Sequence, residues 1–381
     1  MQLENLQMHW HFIPYARSAL AHFGLSGSAC AAMSIAAVIA AAPAWACDVT
    51  LKPDGNTAAI QHAMSKPGKK INVVCLKPGV YRGARLMASQ SVVLRSTGKD
   101  KVVLDAGNQG RVLTIVQDGI DVTLQGVTLT NGKAERGGAI AITQKSSLTL
   151  KDCWIYNNTS TIHGGGAVAA SAGQLNLVRT RITGNTASSA AAIDLSGTAQ
   201  LRLVASLIAE NDAKATADPA VRLTGSAQMT MVASTIAYNS GSAVAMVADG
   251  PGRRKVAIDS SIVMGKPDAI AVQRAEVEDV SVRRSVLYGG IGFVALDLAS
   301  KKSLPGFNLR ELERYRPEAG SAAIGIGSCT DADARVDLVG KPRSASCTTG
   351  ALEAAAGAIK ATLAQRKAEA KAKKPTDWKD L

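Results

Sequence analysis

One line of sequence is written six times in this chain: LTLKDCWIYNN (Leu148–Asn158), LNLVRTRITGN (Leu175–Asn185), LRLVASLIAEN (Leu201–Asn211), MTMVASTIAYN (Met229–Asn239), VAIDSSIVMGK (Val256–Lys266) and VSVRRSVLYGG (Val280–Gly290). A weaker copy, VTLQGVTLTNG, starts at Val122. Successive starts lie 26, 27, 26, 28, 27 and 24 residues apart. A fixed period of this length means one supersecondary unit repeated, each burying its apolar face only against its neighbours. Within each copy apolar and polar residues alternate, which is the period of a strand and not of a helix.

A second strand precedes each copy: RVLTIV from Arg111, GAIAIT from Gly138, GAVAAS from Gly166, AAIDLS from Ala191, PAVRLT from Pro219, SAVAMV from Ser242 and DAIAVQ from Asp268. Two or three short strands per unit leave no room for crossover helices, so the pattern predicts an all-β parallel solenoid. Its inward residues stack coil on coil. One expected ladder is Ile140, Val168, Ile193, Val221, Val244 and Ile270; another is Ile155, Ile182, Ile208, Ile236 and Val263. Asn158, Asn185, Asn211 and Asn239 share one turn position, as expected if their amides bond along the axis. Cys153 shares a column with Thr180, Ser206, Ser234, Ser261 and Ser285, which makes it a small core residue and not a nucleophile.

The regions fall out as follows. Residues 1–46 carry an apolar stretch of signal-peptide length, CAAMSIAAVIAAAP, ending in Ala44-Trp45-Ala46, and are expected to be removed on export. Residues 47–84 form a cap and first coil, in which Asn56 N-caps a short helix that puts Ile60 and Met64 on one face. Coils occupy 85–298, a C-terminal module 299–353, and an Ala- and Lys-rich segment 354–381 that reads equally as a packed helix or a solvated tail. No stretch beyond the signal is long and apolar enough for a transmembrane anchor. In an oxidising compartment Cys47/Cys75 and Cys329/Cys347 are natural disulfide pairs, and the protein is expected to be secreted or periplasmic, with outer-surface association open. The net charge of +13 favours an acidic polysaccharide or an anionic cell surface as partner. Nucleic acid is not expected, because no aromatic-interleaved basic patch accompanies the export signal. Oligomeric state is not legible.

At this point the residues resemble a known group. WIYNN, RITGN, LIAEN and TIAYN, followed by GGAIAI at Gly137 or GGGAVAA at Gly164, look like the repeats of polymorphic outer membrane proteins. More broadly they resemble the right-handed parallel β-helix, or pectate-lyase-like, superfamily. The opening KPGVYRG and VLDAGNQGRVLTI is similar to the first coils of that group. The ending resembles the close of choice-of-anchor Q β-helix proteins: Gly340-Lys341-Pro342-Arg343 and Thr349-Gly350-Ala351-Leu352-Glu353 match, with Thr349 in place of the usual Asp. The resemblance spans about 47–353 and implies a right-handed parallel β-helix. It does not choose an activity, since this fold carries lyases, hydrolases, epimerases and adhesins.

Candidate site residues are those at which the copies disagree. The outward column of the preceding strand reads Thr114, Ala141, Ala169, Asp194, Arg222, Ala245, Ala271, so Asp194 and Arg222 are its only charges, one strand spacing apart. Lyases of the superfamily use an Arg or Lys base with Ca²⁺ on the uronate, which implies Asp194, Arg222 and His163 as a catalytic set with Arg181 and Asp218 as substrate contacts. The bland alternative is an inter-coil ion pair. No cofactor motif is present; Ca²⁺ enters only with the lyase reading, and Asp331, Asp333 and Asp337 read as a tight turn. Trp154, with Tyr156 two residues on, is the best aromatic surface for a sugar ring. Three functions follow: binding of acidic polysaccharide or cell-surface glycan without catalysis, polyuronate lyase or related carbohydrate-active enzyme, and adhesive or structural surface protein.

Overall fold

The computed structural model describes residues 46–53, 57–65, 73–214, 218–249, 252–273, 278–291, 296–307, 315–344 and 346–372. The expected signal segment before Ala46, the helix cap Asn56 and the tail beyond residue 372 lie outside them.

Among the described residues the chain winds into three long parallel sheets of ten, ten and eight strands, with a fourth sheet of four two-residue strands at one corner. The repeated line supplies two of these sheets. Its first half stacks Leu148 on Leu175, Leu201, Met229, Val256 and Val280. Its second half stacks Ile155 on Ile182, Ile208, Ile236, Val263 and Leu287. The strand ahead of the line forms the third sheet, where Ile140, Val168, Ile193, Val221, Val244 and Ile270 are in register and fully buried. Both expected ladders are present. Parallel pairing follows from the connection length, since each strand returns one coil later.

The polar columns are used up in stacking. Asn185 Oδ1 accepts from the Asn158 backbone N–H at 3.0 Å and from its Nδ2 at 2.9 Å, and Asn185 in turn donates its backbone N–H and Nδ2 to Asn211 Oδ1 at 3.0 and 2.8 Å. The serine column links by backbone N–H to hydroxyl at each step, from Thr180 through Ser206, Ser234, Ser261 and Ser285 to Ser300. Cys153 stands at its head, buried, with its thiol pushed up to about 12 by desolvation. Such chains leave almost no buried donor unpaired, which is what lets a polar column sit inside a solenoid.

The N-terminal helix Ala58–Ser65 buries Ile60, Ala63 and Met64, and its Gln61 amide clamps both backbone groups of Met87. Disulfides join Cys47 to Cys75 and Cys329 to Cys347.

The C-terminal module does not simply follow the last coil. It lies along the solenoid wall, where Leu207, Ala209, Ala237, Ile262 and Val286 on the outer face of the second sheet form a separate core with Phe307, Tyr315, Ala323, Leu338, Ala351 and Leu352. Arg202 pairs with Asp331 at 2.9 Å and Asp333 at 3.1 Å, and Tyr315 donates to Glu210 at 2.6 Å. The segment left open between helix and tail forms the helix Ala356–Ala372, which packs against the module. There Arg366 donates to the Ile324 and Ser321 carbonyls at 2.6 and 3.1 Å. No helix among the described residues is long and apolar enough to cross a membrane.

Candidate functional site

The sites implied by the sequence fall into two clefts on different sheets. On the third sheet, strand pairing sets Asp194 beside Arg222, and Arg222 Nε donates to Asp194 Oδ1 at 2.9 Å. Asp194 is 1 % exposed. Its Oδ2 lies 3.1 Å from Arg136 Nη2, in ion-pair contact without hydrogen-bond alignment. Gly164 covers the pair: a Cβ there would stand 2.9 Å from Asp194 Cγ and 3.0 Å from Arg222 Nη2. Exposed His163 precedes that glycine and lines the same cleft, about 390 Å³, with Arg136, Asp194, Arg222 and Asp249. Asp194, Arg222 and His163 are therefore brought together, and Asp218 acts on Arg222 through its charge. Burial pulls the Arg222 guanidinium down. The hydrogen bond and charge of Asp194, helped by Asp218 and Asp249, outweigh it, and the pKa is raised above the ordinary arginine value.

Arg136 joins the cleft as a further cation, outside the repeated columns of the sequence. It precedes Gly137-Gly138, the glycine pair one coil before the His163 loop, so the signal was a second Gly-rich loop with a charged lead residue. The carboxylates here do not make a Ca²⁺ shell. Asp194 is spent on two guanidinium groups, Asp249 Oδ1 accepts from the Gly225 N–H at 2.9 Å, and no group of three or more His, Cys, Asp or Glu among the described residues is placed to hold a metal ion. Asp331 and Asp337 are turn residues: Asp331 accepts from the Asp333 N–H at 2.9 Å, and Asp337 from the Val339 and Lys341 N–H groups at 3.0 and 2.8 Å.

Arg181 does not join this cleft; it belongs to the second sheet, in register with Trp154. The Trp154 ring lies 4.4 Å from that of Tyr156, tilted by 31°, and its Nε1 donates to Thr183 Oγ1 at 2.8 Å. Lys101 Nζ stands 5.5 Å from the Trp154 ring centroid, within cation–π range. Lys99, Lys101, Trp154, Arg179, Arg181 and Leu338 line a cleft of about 330 Å³. Arg179 forks onto Asp152 at 2.6 and 3.1 Å. Among the described residues neither Lys101 nor Arg181 has a carboxylate within salt-bridge distance. Burial lowers the Arg181 pKa, and the charge of Asp337 opposes this. Lys101 precedes Val102, which pairs with Val127, so it stands in register with Gly126 and then Asp152. Gly126 offers no side chain to block its reach toward Trp154. That juxtaposition depends on register across two coils, and no local motif announces it.

Fold and clefts together define a parallel β-solenoid with a polar, aromatic-bearing outer wall. Residues 105–269 match the family described as right handed beta helix region, in keeping with the parallel solenoid that the sheets form. No curated protein matches the chain.

Proposed function

We propose that this protein is exported and binds acidic polysaccharide or cell-surface glycan at the Trp154 cleft, without catalysis. One observation carries this reading: an aromatic face with Tyr156 stacked beside it shares a cleft with Lys99, Lys101 and Arg181. Pyranose rings stack on such faces, and cations beside them select carboxylated sugars. The net charge of +13 supports an acidic partner, and two disulfides suit an oxidising compartment. Trp154 is the sole tryptophan between residues 46 and 377, so a change in emission that Trp154→Phe removes reports occupancy of this cleft. Titration with polygalacturonate or alginate should shift that emission, with affinity falling as salt rises. Trp154→Ala and Arg181→Ala should each weaken retention on the polymer about tenfold. Equal retention on neutral dextran, or unchanged retention of both variants, would remove the reading.

A second reading, a polyuronate lyase, is favoured by the convergence of His163, Arg222 and Asp194 in one cleft. Arg222 stays protonated there and would steady a uronate carboxylate, which leaves His163 to take the proton from carbon. Ultraviolet absorbance of unsaturated uronate should then appear with polygalacturonate, alginate or glycosaminoglycan and vanish in His163→Ala. No absorbance on any of them, with or without added Ca²⁺, would end that reading for these substrates.

A further inference from the structure

The Trp154 cleft is not closed at its far side. A second cleft of about 470 Å³, lined by Arg95, Ser96, Thr97 and Gln125, shares Gly98, Gly126 and Asp152 with it. The two meet across the corner between the first and second sheets. Gly126 is the neck of the passage: the same turn column carries Asp152 and Arg179 in the next coils, all at positive φ (67°, 56° and 46°), but only Gly126 has no side chain. A Cβ on Gly126 would come within 3.2 Å of Ser96 Cβ and narrow the neck. At the far end Arg95 lies over the Cys47–Cys75 disulfide, with Nε 3.3 Å from Cys75 Sγ and Nη2 3.6 Å from Cys47 Sγ. Arg95 pairs through Gln125 and Lys151 to Val178, three steps along the axis, on the coil that carries Arg181. Three strand spacings put the two cationic ends roughly 14 Å apart along the solenoid, well beyond a single pyranose.

We infer that the two clefts form one continuous groove built for a run of several acidic sugar residues, with one ring on Trp154 and carboxylates toward Arg181 at one end and Arg95 at the other. The inference rests on the glycan-binding reading and deepens it from an acidic sugar to an acidic oligosaccharide of defined minimum length. A groove with two cationic ends gains affinity with chain length until both are spanned, because the second contact is made within an already bound chain.

The test compares galacturonic acid, trigalacturonate and hexagalacturonate by Trp154 fluorescence, with maltohexaose as the neutral control, on the full chain. The hexamer is expected to bind at least about tenfold tighter than the monosaccharide. Arg95→Gln should abolish that gain and leave the monosaccharide affinity unchanged, whereas Arg95→Lys should keep most of it. Gly126→Asn, which tolerates positive φ as Asp152 does one coil on, should also remove the hexamer's gain over the monosaccharide. Equal Trp154-dependent affinity for monomer and hexamer, or a full hexamer gain retained in both Arg95→Gln and Gly126→Asn, overturns the continuous groove and leaves glycan binding standing. If none of the three acidic probes binds, both fall.

Discussion

At the level of single residues, the columns read from the repeat divide into those spent on stacking and those left to act. Asn185 illustrates the first. Its amide donates to the Ile155 carbonyl at 3.1 Å and to Asn211 Oδ1 at 2.8 Å while accepting twice from Asn158, all of it buried. Asn185→Ala should cost about 3 kcal/mol, because the partners stay buried and unpaired, and a lower denaturant midpoint would show it. Cys153, with its raised thiol and no exposure to speak of, should resist a thiol reagent in the native state and react once on unfolding. Asp194 reads from sequence as one half of a charge pair with Arg222 on an Ala-lined face, and it is the buried centre of a two-arginine cluster. The pair is legible and the second arginine is not, because Arg136 sits two coils and 58 residues away in the chain.

Elements show where local pattern suffices. The strands, their inward ladders and the N-terminal helix with Ile60 and Met64 on its buried face follow from periodicity alone, since side-chain direction alternates with a period of two in a strand. The helix Ala356–Ala372 could not be decided that way. Its propensity is high, but Arg366 and the buried Thr362 hold it to the module, and those contacts are tertiary. The last coil is tied by Asp297, which accepts from the Ser300 hydroxyl at 2.5 Å and from the Arg284 backbone N–H at 3.1 Å. Partial burial opposes its charge, but these bonds and the charge of Arg284 outweigh it and hold its pKa below the ordinary carboxylate value. A depressed folded value contributes stability that is complete above the unfolded pKa of about 4 and is lost as pH falls through the folded one. Below about pH 4, the protection of the Ser285 and Ser300 amides against hydrogen exchange, relative to the intrinsic rate at each pH, should therefore fall in the wild type, while that protection in Asp297→Asn should show little pH dependence there.

For the molecule as a whole, the consequential fact is that the C-terminal module runs along the second sheet and stops beside Trp154, where Leu338 forms part of the cleft wall. The outer face of that sheet changes from Trp154, Tyr156, Arg181 and Thr183 to Leu207, Ala209, Ala237 and Ile262, an apolar run that needs a cover. The change is visible in the copies, but which segment supplies the cover is not. Arg202 bridges coil and module through two half-exposed carboxylates, so Arg202→Ala should cost about 1 kcal/mol by chemical denaturation. The difference between wild type and variant should shrink at high salt, as screening weakens the same pairs. From the chain alone came the solenoid, its two or three recurring strands, its stacked Leu, Ile, Ser and Asn columns and the four cysteines suited to bonding at the two ends, because each follows from a short-range period or from cysteine position; the structure supplied the connectivity. Only the tertiary structure could place Lys101 over Trp154, Arg136 on Asp194 and Leu338 at the rim of the cleft. Those neighbours are set by register between coils and by where the module lands, and residues dozens of positions apart carry no local pattern that says they will meet.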